Sequence, residues 1–72
     1  MASWKDLRRY LKNDGWTFVR SGVDDIYTKT LPNGDILRSR CSKGTGEISP
    51  ALFSRILKQQ LRTDKETFNS KI

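Results

Sequence analysis

The sequence predicts an α+β fold, a single two-layer sandwich in which helices cover one face of a three-stranded antiparallel sheet. Three observations lead to this fold class. The chain begins with an amphipathic segment, continues with three short β-rich segments separated by turn residues, and becomes amphipathic again after Pro50. Seventy-two residues suffice for one domain, 1–72. We therefore expect the order α-β-β-β-α, with a short extra helix at the C-terminal end.

The first helix is predicted from its cap and from its apolar spacing. Ser3 can cap a helix, and Asp6 three residues later forms a shortened capping box. Beyond the cap, apolar residues recur at helical spacing and define one face. These residues are Trp4, Leu7 and Leu11, with Tyr10 flanking them. The helix is predicted over residues 4–13, and Gly15 suits the left-handed conformation that often follows a helix.

Three strands are predicted from runs of aromatic and β-branched residues at 16–21, 24–31 and 36–41. Only Gly22 and Val23 separate the first two strands, which predicts a tight hairpin. Asn33-Gly34 between the second and third strands is a turn signal, because these residues tolerate positive φ. Such short connections predict an antiparallel meander.

Two helices are predicted after the sheet. Ser49 followed by Pro50 is a typical helix start, and the helix is expected over residues 50–60. A capping box of Thr63 and Glu66 predicts a short terminal helix around 64–70. The apolar side chains of the longer helix that can be buried are Leu52, Phe53, Ile56, Leu57 and Leu61. The aromatic residues expected in the core are Trp4, Trp16, Phe18, Tyr27, Phe53 and Phe68.

The charge balance favours an anionic partner. Fourteen Lys and Arg against eight Asp and Glu give a net charge of +6 and a pI near 9.9. Nucleic acid, an acidic protein and an anionic membrane would all suit this charge. The membrane is the weakest of the three, because the first helix has no apolar surface beyond its core face. The first ten residues are charged and lack an apolar run, so neither a signal peptide nor a membrane span is expected there.

The residue composition also limits the kinds of disulfide and metal site that the chain can form. Cys41 is the one cysteine, so no internal disulfide can form, which fits a reducing cytoplasm. With no histidine and a single thiol, the chain cannot assemble a zinc site. We expect no cofactor, no metal and no small-molecule substrate, and we interpret Cys41 as a small apolar residue on a strand.

Seven basic residues are candidates for contact with RNA phosphates. They are Lys5, Arg8, Arg9 and Lys12 on the first helix, Arg38 and Arg40 on the third strand, and Lys43 in the following loop. The helix residues lie opposite the apolar face, and the strand residues share one face. A solvated helix face and a sheet protected by charge would give the same pattern. A domain with a basic helix and a basic loop can, however, span double-stranded RNA by shape, with steep salt dependence.

Several segments, in order, resemble the HicA-type toxins of bacterial toxin–antitoxin pairs. They are "LKNDGW", "GWTFVR" with a Gly-led turn to "IY", "EISPALFSRILKQQL" and "RTDKETF", and together they cover nearly the whole chain. The family consists of small messenger-RNA interferases with a fold like that of double-stranded-RNA-binding domains. The resemblance therefore implies an RNA-associated cytoplasmic protein with a HicB-like antitoxin as its partner.

The chain departs from this family at the first hairpin. Members commonly carry Gly-Ser-His-His or similar before "IY", and the first of these histidines is catalytic. Here the turn contains Gly22, Val23, Asp24 and Asp25, with one residue missing ahead of Gly22. The resemblance places Asp24 at the catalytic position. Aspartate ordinarily titrates near ~3.9, so it can serve as a base but is a poor acid at pH 7, whereas histidine suits both tasks.

Three functions remain open. The first is a HicA-like RNA-binding protein with weakened or lost ribonuclease activity. The second is an active, metal-independent mRNA interferase that uses Asp24 or another non-histidine group. The third is a protein-interaction module that docks a HicB-like antitoxin through its basic face. Asp24 and Asp25 are otherwise exposed hairpin residues. A shared Mg²⁺ is not expected, because neighbouring strand side chains point to opposite faces.

Overall fold

The computed structural model describes residues 2–44 and 46–72. Its elements follow the expected order. They are α1 (Trp4–Asn13), β1 (Thr17–Ser21), β2 (Asp24–Thr30), β3 (Ile36–Ser42), α2 (Pro50–Arg55), a π-helical segment (Ile56–Leu61) and α3 (Lys65–Ser70). The strands form one antiparallel sheet in the order β1-β2-β3. The predicted α+β fold, with α-β-β-β-α order and an extra C-terminal helix, is confirmed.

Local sequence explains where α1 and the turns begin and end. The Ser3 hydroxyl accepts from the Asp6 amide, and the Asp6 carboxylate accepts from the Ser3 amide, both at 3.2 Å. The predicted capping box is therefore present, and it satisfies amides that have no partner within the helix. After α1, Gly15 has φ +80°, and in the turn before β3, Gly34 has φ +93°. Both glycines occupy the left-handed region that other residues adopt only at a cost.

The two faces of the sheet differ sharply in exposure. Along β3, burial alternates strictly, and the residues that face the helices are Leu37, Ser39 and Cys41. We call this side the inner face and the other side the open face. Cross-strand pairing extends the inner face to Asp25 and Tyr27 of β2. The core forms between the inner face and the helices.

The core residues come from every helix, the sheet and the connecting segments. They are Leu7, Tyr10, Leu11, Trp16, Leu37, Cys41, Ile48, Phe53, Ile56, Leu57, Leu61 and Phe68. Phe68 of α3 is fully buried, with its ring centroid 5.0 Å from those of Tyr10 and Phe53. The prediction of Phe18 as a core residue was wrong, since Phe18 is 52% exposed. It lies on the edge strand β1, where its ring packs edge-to-face with Tyr27 at 5.5 Å between centroids.

The C-terminal helices differ from the prediction in two details. The helix that begins at Pro50 ends as an α-helix at Arg55 and continues in π-helical geometry to Leu61. The terminal helix is capped by Asp64, whose carboxylate accepts from the Thr67 amide at 2.7 Å. The capping box predicted one residue earlier, at Thr63, was wrong. Asp64 competes successfully because an ionised carboxylate is a strong acceptor at a helix N-terminus.

Candidate nucleic-acid interface

Four cationic side chains lie together on the outer side of α1. Lys5, Arg8, Arg9 and Lys12, with Asn13, line one broad depression of the surface. The helix presents them there because its opposite side is buried in the core through Leu7, Tyr10 and Leu11. The predicted clustering on this helix is confirmed, and we call this surface the helix patch.

Arg8 connects the helix patch to the end of β3. Its Nη2 donates to the main-chain oxygen of Ser42 at 3.1 Å, and Arg8 is half-buried whereas Lys5 and Arg9 are exposed. Lys43, the next residue after Ser42, is exposed at the start of the following loop. The contact therefore places Lys43 beside the helix patch. Arg8 has a structural role as well as a positive charge.

The groups beside Arg8 on the inner face do not titrate near neutrality. Burial raises the pKa of Tyr27, with a further rise from the Asp25 carboxylate, and the nearby Arg8 guanidinium only partly opposes this. Burial also raises the pKa of the Cys41 thiol, which is completely inaccessible. A phenol and a thiol with raised pKa values keep their protons at pH 7. Neither can therefore act as a base at neutral pH.

Arg38 and Arg40 lie on the open face, away from the helix patch. Both are exposed, and they alternate with the buried Ser39, as their predicted sharing of one face requires. The sheet separates them from α1, which packs on the inner side. The seven predicted RNA-contact residues therefore form two surfaces, five around the helix patch and two on the open face.

Arg20 belongs to the open-face surface and was not among the predicted residues. In a regular strand, Phe18 and Arg20 would share a face. The register shifts between them, however, so that Phe18 pairs with Tyr27 and Arg20 pairs with Ile26. The resulting β-bulge at Val19 turns Arg20 to the open face. The sequence did contain a signal for this bulge. Without it, regular alternation would have pointed the Arg20 guanidinium towards the half-buried side of the sheet, which is unfavourable for a charge.

Asp24 also faces the open side of the sheet. It pairs with Ser42 across β2 and β3, whereas Asp25 pairs with the inner-facing Cys41. The two aspartates thus point to opposite faces, as strand geometry predicts. No group of three or more acidic, histidine or cysteine residues suited to a metal ion occurs within residues 2–44 and 46–72.

Asp24 lines a depression of about 250 Å³ at the hairpin end of the open face. Arg20, Ile26 and Arg40 form a row across the three strands, and the hairpin turn, residues 21–23, completes the wall. The ion pairs in the described part of the chain involve Asp14 and Asp35, and none involves Asp24, Arg20 or Arg40. The predicted catalytic residue therefore lies beside two arginines without ion-pair partners.

Comparisons of the chain with protein-family models, with curated proteins and with solved structures found no match. Among the helices that the structure describes, none is long and apolar enough to cross a membrane. The chemistry of the helix patch and of the open face is therefore what indicates a function.

Proposed function

We propose that this chain is a HicA-like RNA-binding protein of a bacterial toxin–antitoxin system, with weakened or lost ribonuclease activity. The observation that carries the proposal is the helix patch, four cations on one side of α1. The Arg8–Ser42 hydrogen bond extends it to Lys43. A helix and a neighbouring loop that present cations side by side can follow a phosphate backbone without reading its sequence.

A steep salt dependence of RNA affinity is the main quantitative consequence of binding through the helix patch. Each phosphate neutralised by a lysine or arginine releases counterions, at about 0.7 to 0.9 units of log–log slope per contact. The helix patch and Lys43 together offer five cationic side chains. If most of them contact phosphates, a plot of the logarithm of the RNA-binding constant against the logarithm of the salt concentration should have a slope of about −3 to −4.

The acid–base groups that the chain contains favour RNA binding over RNA cleavage as its function. Metal-independent cleavage needs a base for the 2′-hydroxyl and an acid for the leaving oxygen. The chain has no histidine, and Tyr27 and Cys41, whose raised pKa values keep them protonated at pH 7, face the inner side of the sheet, opposite Asp24. Asp24 alone would supply a base without an acid. Losing one of the two groups typically costs ~100- to 10,000-fold in rate.

An active interferase is the second candidate, because Asp24 lies beside Arg20 and Arg40. Two guanidinium groups could stabilise the charge that develops on a phosphate during cleavage. Incubation of long single-stranded RNA with the protein in EDTA tests this candidate, with an Asp24→Asn variant alongside. Cleavage by the wild type alone would establish the interferase. Intact RNA in both reactions, with a salt-sensitive gel shift, supports the binding function.

The binding function is tested with two charge-matched triple variants. In one, Lys5, Arg9 and Lys12 of the helix patch are changed to Gln, and in the other, Arg55, Lys58 and Lys65 of the C-terminal helices. Each lowers the net charge from +6 to +3, and all six residues are exposed. We expect the first variant to lose RNA affinity at least about tenfold more than the second, with a salt slope reduced by about 2. Equal losses would show that net charge alone attracts RNA and would refute the helix patch.

A HicB-like antitoxin is the proposed protein partner, since an acidic protein could cover the same cations. Co-expression with the product of the adjacent gene, followed by gel filtration, checks this part of the proposal. Co-elution that is lost in the helix-patch variant supports it, and separate elution of the two wild-type proteins contradicts it.

A further inference from the structure

The open-face depression combines two kinds of hydrogen-bonding group that serve different parts of a nucleotide. Arg20 and Arg40 bring guanidinium donors, and Asp24 brings a carboxylate acceptor. Ile26 lies between the two arginines in the row across the sheet. Backbones of neighbouring strands are about 4.8 Å apart, so the two arginines start about 10 Å from each other and can converge above Ile26.

The arginines suit a phosphate group. A guanidinium presents parallel N–H donors that match two phosphate oxygens, and it keeps its charge at any relevant pH. Arg20 and Arg40 make no ion pair within the described residues. A phosphate bound there would therefore not have to displace a carboxylate partner, and it would be held between two charges.

Asp24 makes the depression selective for a ligand that also donates a hydrogen bond. An ionised carboxylate only accepts, and it repels a second anion that approaches closely. An acidic peptide could also donate to Asp24, through its backbone N–H groups, so it is the competing occupant. A ribonucleotide presents a phosphate and a 2′-hydroxyl donor within one unit, and the 2′-hydroxyl is the group that distinguishes RNA from DNA.

We infer that this depression binds one ribonucleotide of single-stranded RNA. Arg20 and Arg40 hold its phosphate, and Asp24 accepts a hydrogen bond from its 2′-hydroxyl. This inference rests on the proposed RNA-binding function and adds a second contact surface on the opposite side of the sheet from α1. It gives Asp24 a role in recognition that requires no neighbouring acid.

The test measures binding of a single-stranded RNA 12-mer and of the DNA 12-mer with the corresponding sequence. Arg55→Gln is the matched control, because it removes one exposed arginine of α2 that lines neither the depression nor the helix patch. Arg20→Gln and Arg40→Gln should each weaken RNA binding about tenfold, as expected for a lost charge-assisted contact, and Arg55→Gln by about twofold or less.

Two substitutions of Asp24 distinguish its contact with the RNA 2′-hydroxyl from the effect of its negative charge. Asp24→Ala should bind RNA and DNA about equally, because the acceptor is gone and the repulsion is relieved. Asp24→Asn retains a carbonyl acceptor and should keep the preference for RNA. The RNA-to-DNA ratio is informative because a general loss of structure would weaken both ligands together. Thermal unfolding of each variant confirms that it is folded.

The outcomes distinguish the inference from the function on which it rests. Failure of the wild type to bind RNA overturns the proposed function and, with it, this site. RNA binding that is lost in the helix-patch variant, with Arg20→Gln and Arg40→Gln equal to Arg55→Gln, overturns the site alone. Equal wild-type affinity for RNA and DNA overturns the contact with the 2′-hydroxyl. Displacement of RNA by octaglutamate, abolished by Arg20→Gln and Arg40→Gln, would assign the depression to an acidic protein instead.

Discussion

Asp14 is the side chain that should most clearly couple the stability of the protein to pH, and its substitution should remove that coupling. It caps the C-terminal end of α1, and its carboxylate bonds to Lys71 at 2.8 Å and to Lys29 at 2.9 Å. It also accepts from the Trp16 indole at 3.0 Å. These contacts join α1 to β2 and to the residue after α3. Replacement by Asn removes the charge but keeps the size of the side chain.

The expected loss in the free energy of unfolding follows from the pKa of Asp14. Burial alone would raise it, but the hydrogen bonds from Lys71, Lys29 and Trp16 outweigh burial and lower it from 3.8 to about 2. Each tenfold change in proton affinity is worth about 1.4 kcal/mol, which gives about 2 kcal/mol. Solvent screens the lysines, whose side chains are 31% and 40% exposed, so we expect 1 to 2 kcal/mol, roughly.

The sign of the pH dependence follows from linkage. Between pH 3.8 and about 2, the unfolded chain binds more protons at this site than the folded chain, so stability rises with pH. The contribution of Asp14 is fully present above the unfolded pKa. It is lost as the pH falls towards 2, where less than about 0.5 kcal/mol remains.

Urea unfolding of wild type and Asp14→Asn at pH 7 and at pH 2 measures this contribution. The variant should be less stable by about 1 to 2 kcal/mol at pH 7, and the difference should nearly vanish at pH 2. Asp35→Asn is the control, because Asp35 pairs with Arg62 at 4.0 Å with both side chains 59% exposed, and it should cost less than about 1 kcal/mol at pH 7. An equal deficit of Asp14→Asn at both pH values would refute the electrostatic account.

Four further predictions concern the core, the thiol and the backbone. Phe68→Ala should lower the free energy of unfolding by about 3 to 5 kcal/mol, against about 1 kcal/mol or less for the half-exposed Phe18→Ala, as measured by urea unfolding. Cys41 should react with a thiol reagent only as fast as the protein opens, and rapidly in urea, because its thiol is buried with a raised pKa. Ser3→Ala should lower the melting temperature through a loss of about 1 kcal/mol, since it removes half of the capping box. Gly15→Ala should cost about 1 to 2 kcal/mol by the same measurement, from backbone strain alone, because φ is +80° and, among the described residues other than its chain neighbours, no atom lies within 4 Å of the added methyl group.

The parts of the fold that could be predicted depend on short-range interactions. Ser3 and Asp6 form their capping box within one turn of helix, and Gly15 and Gly34 mark positive φ where it occurs. Strict alternation along β3 placed Arg38 and Arg40 on one face without knowledge of the tertiary structure. In these cases, neighbours in sequence are also the interacting partners.

The parts that were missed depend on contacts between distant segments. The bulge that turns Arg20 outward is visible only in the pairing of β1 with β2. Gln60 in the π-helical segment accepts from the Ser39 hydroxyl and from the Arg40 amide, 20 residues or more away in sequence. Helical periodicity at 50–60 carries no trace of such a partner. The residues of the candidate site were therefore predicted on the helix and, at Arg40 and Asp24, on the open face, whereas Arg20 was missed.

β3 is the element on which both cationic surfaces depend. On one side, its end at Ser42 binds Arg8 of the helix patch. On the other, it presents Arg40, whose main-chain amide is held by Gln60. β3 is an edge strand, so one route for an RNA between the two surfaces passes around this edge near Lys43. A stiff duplex can follow the helix patch but cannot make that turn, whereas a flexible single strand can. If the proposed RNA binding holds, this arrangement would favour RNA that is single-stranded where it meets the open face, and a junction between duplex and single strand would engage both surfaces at once.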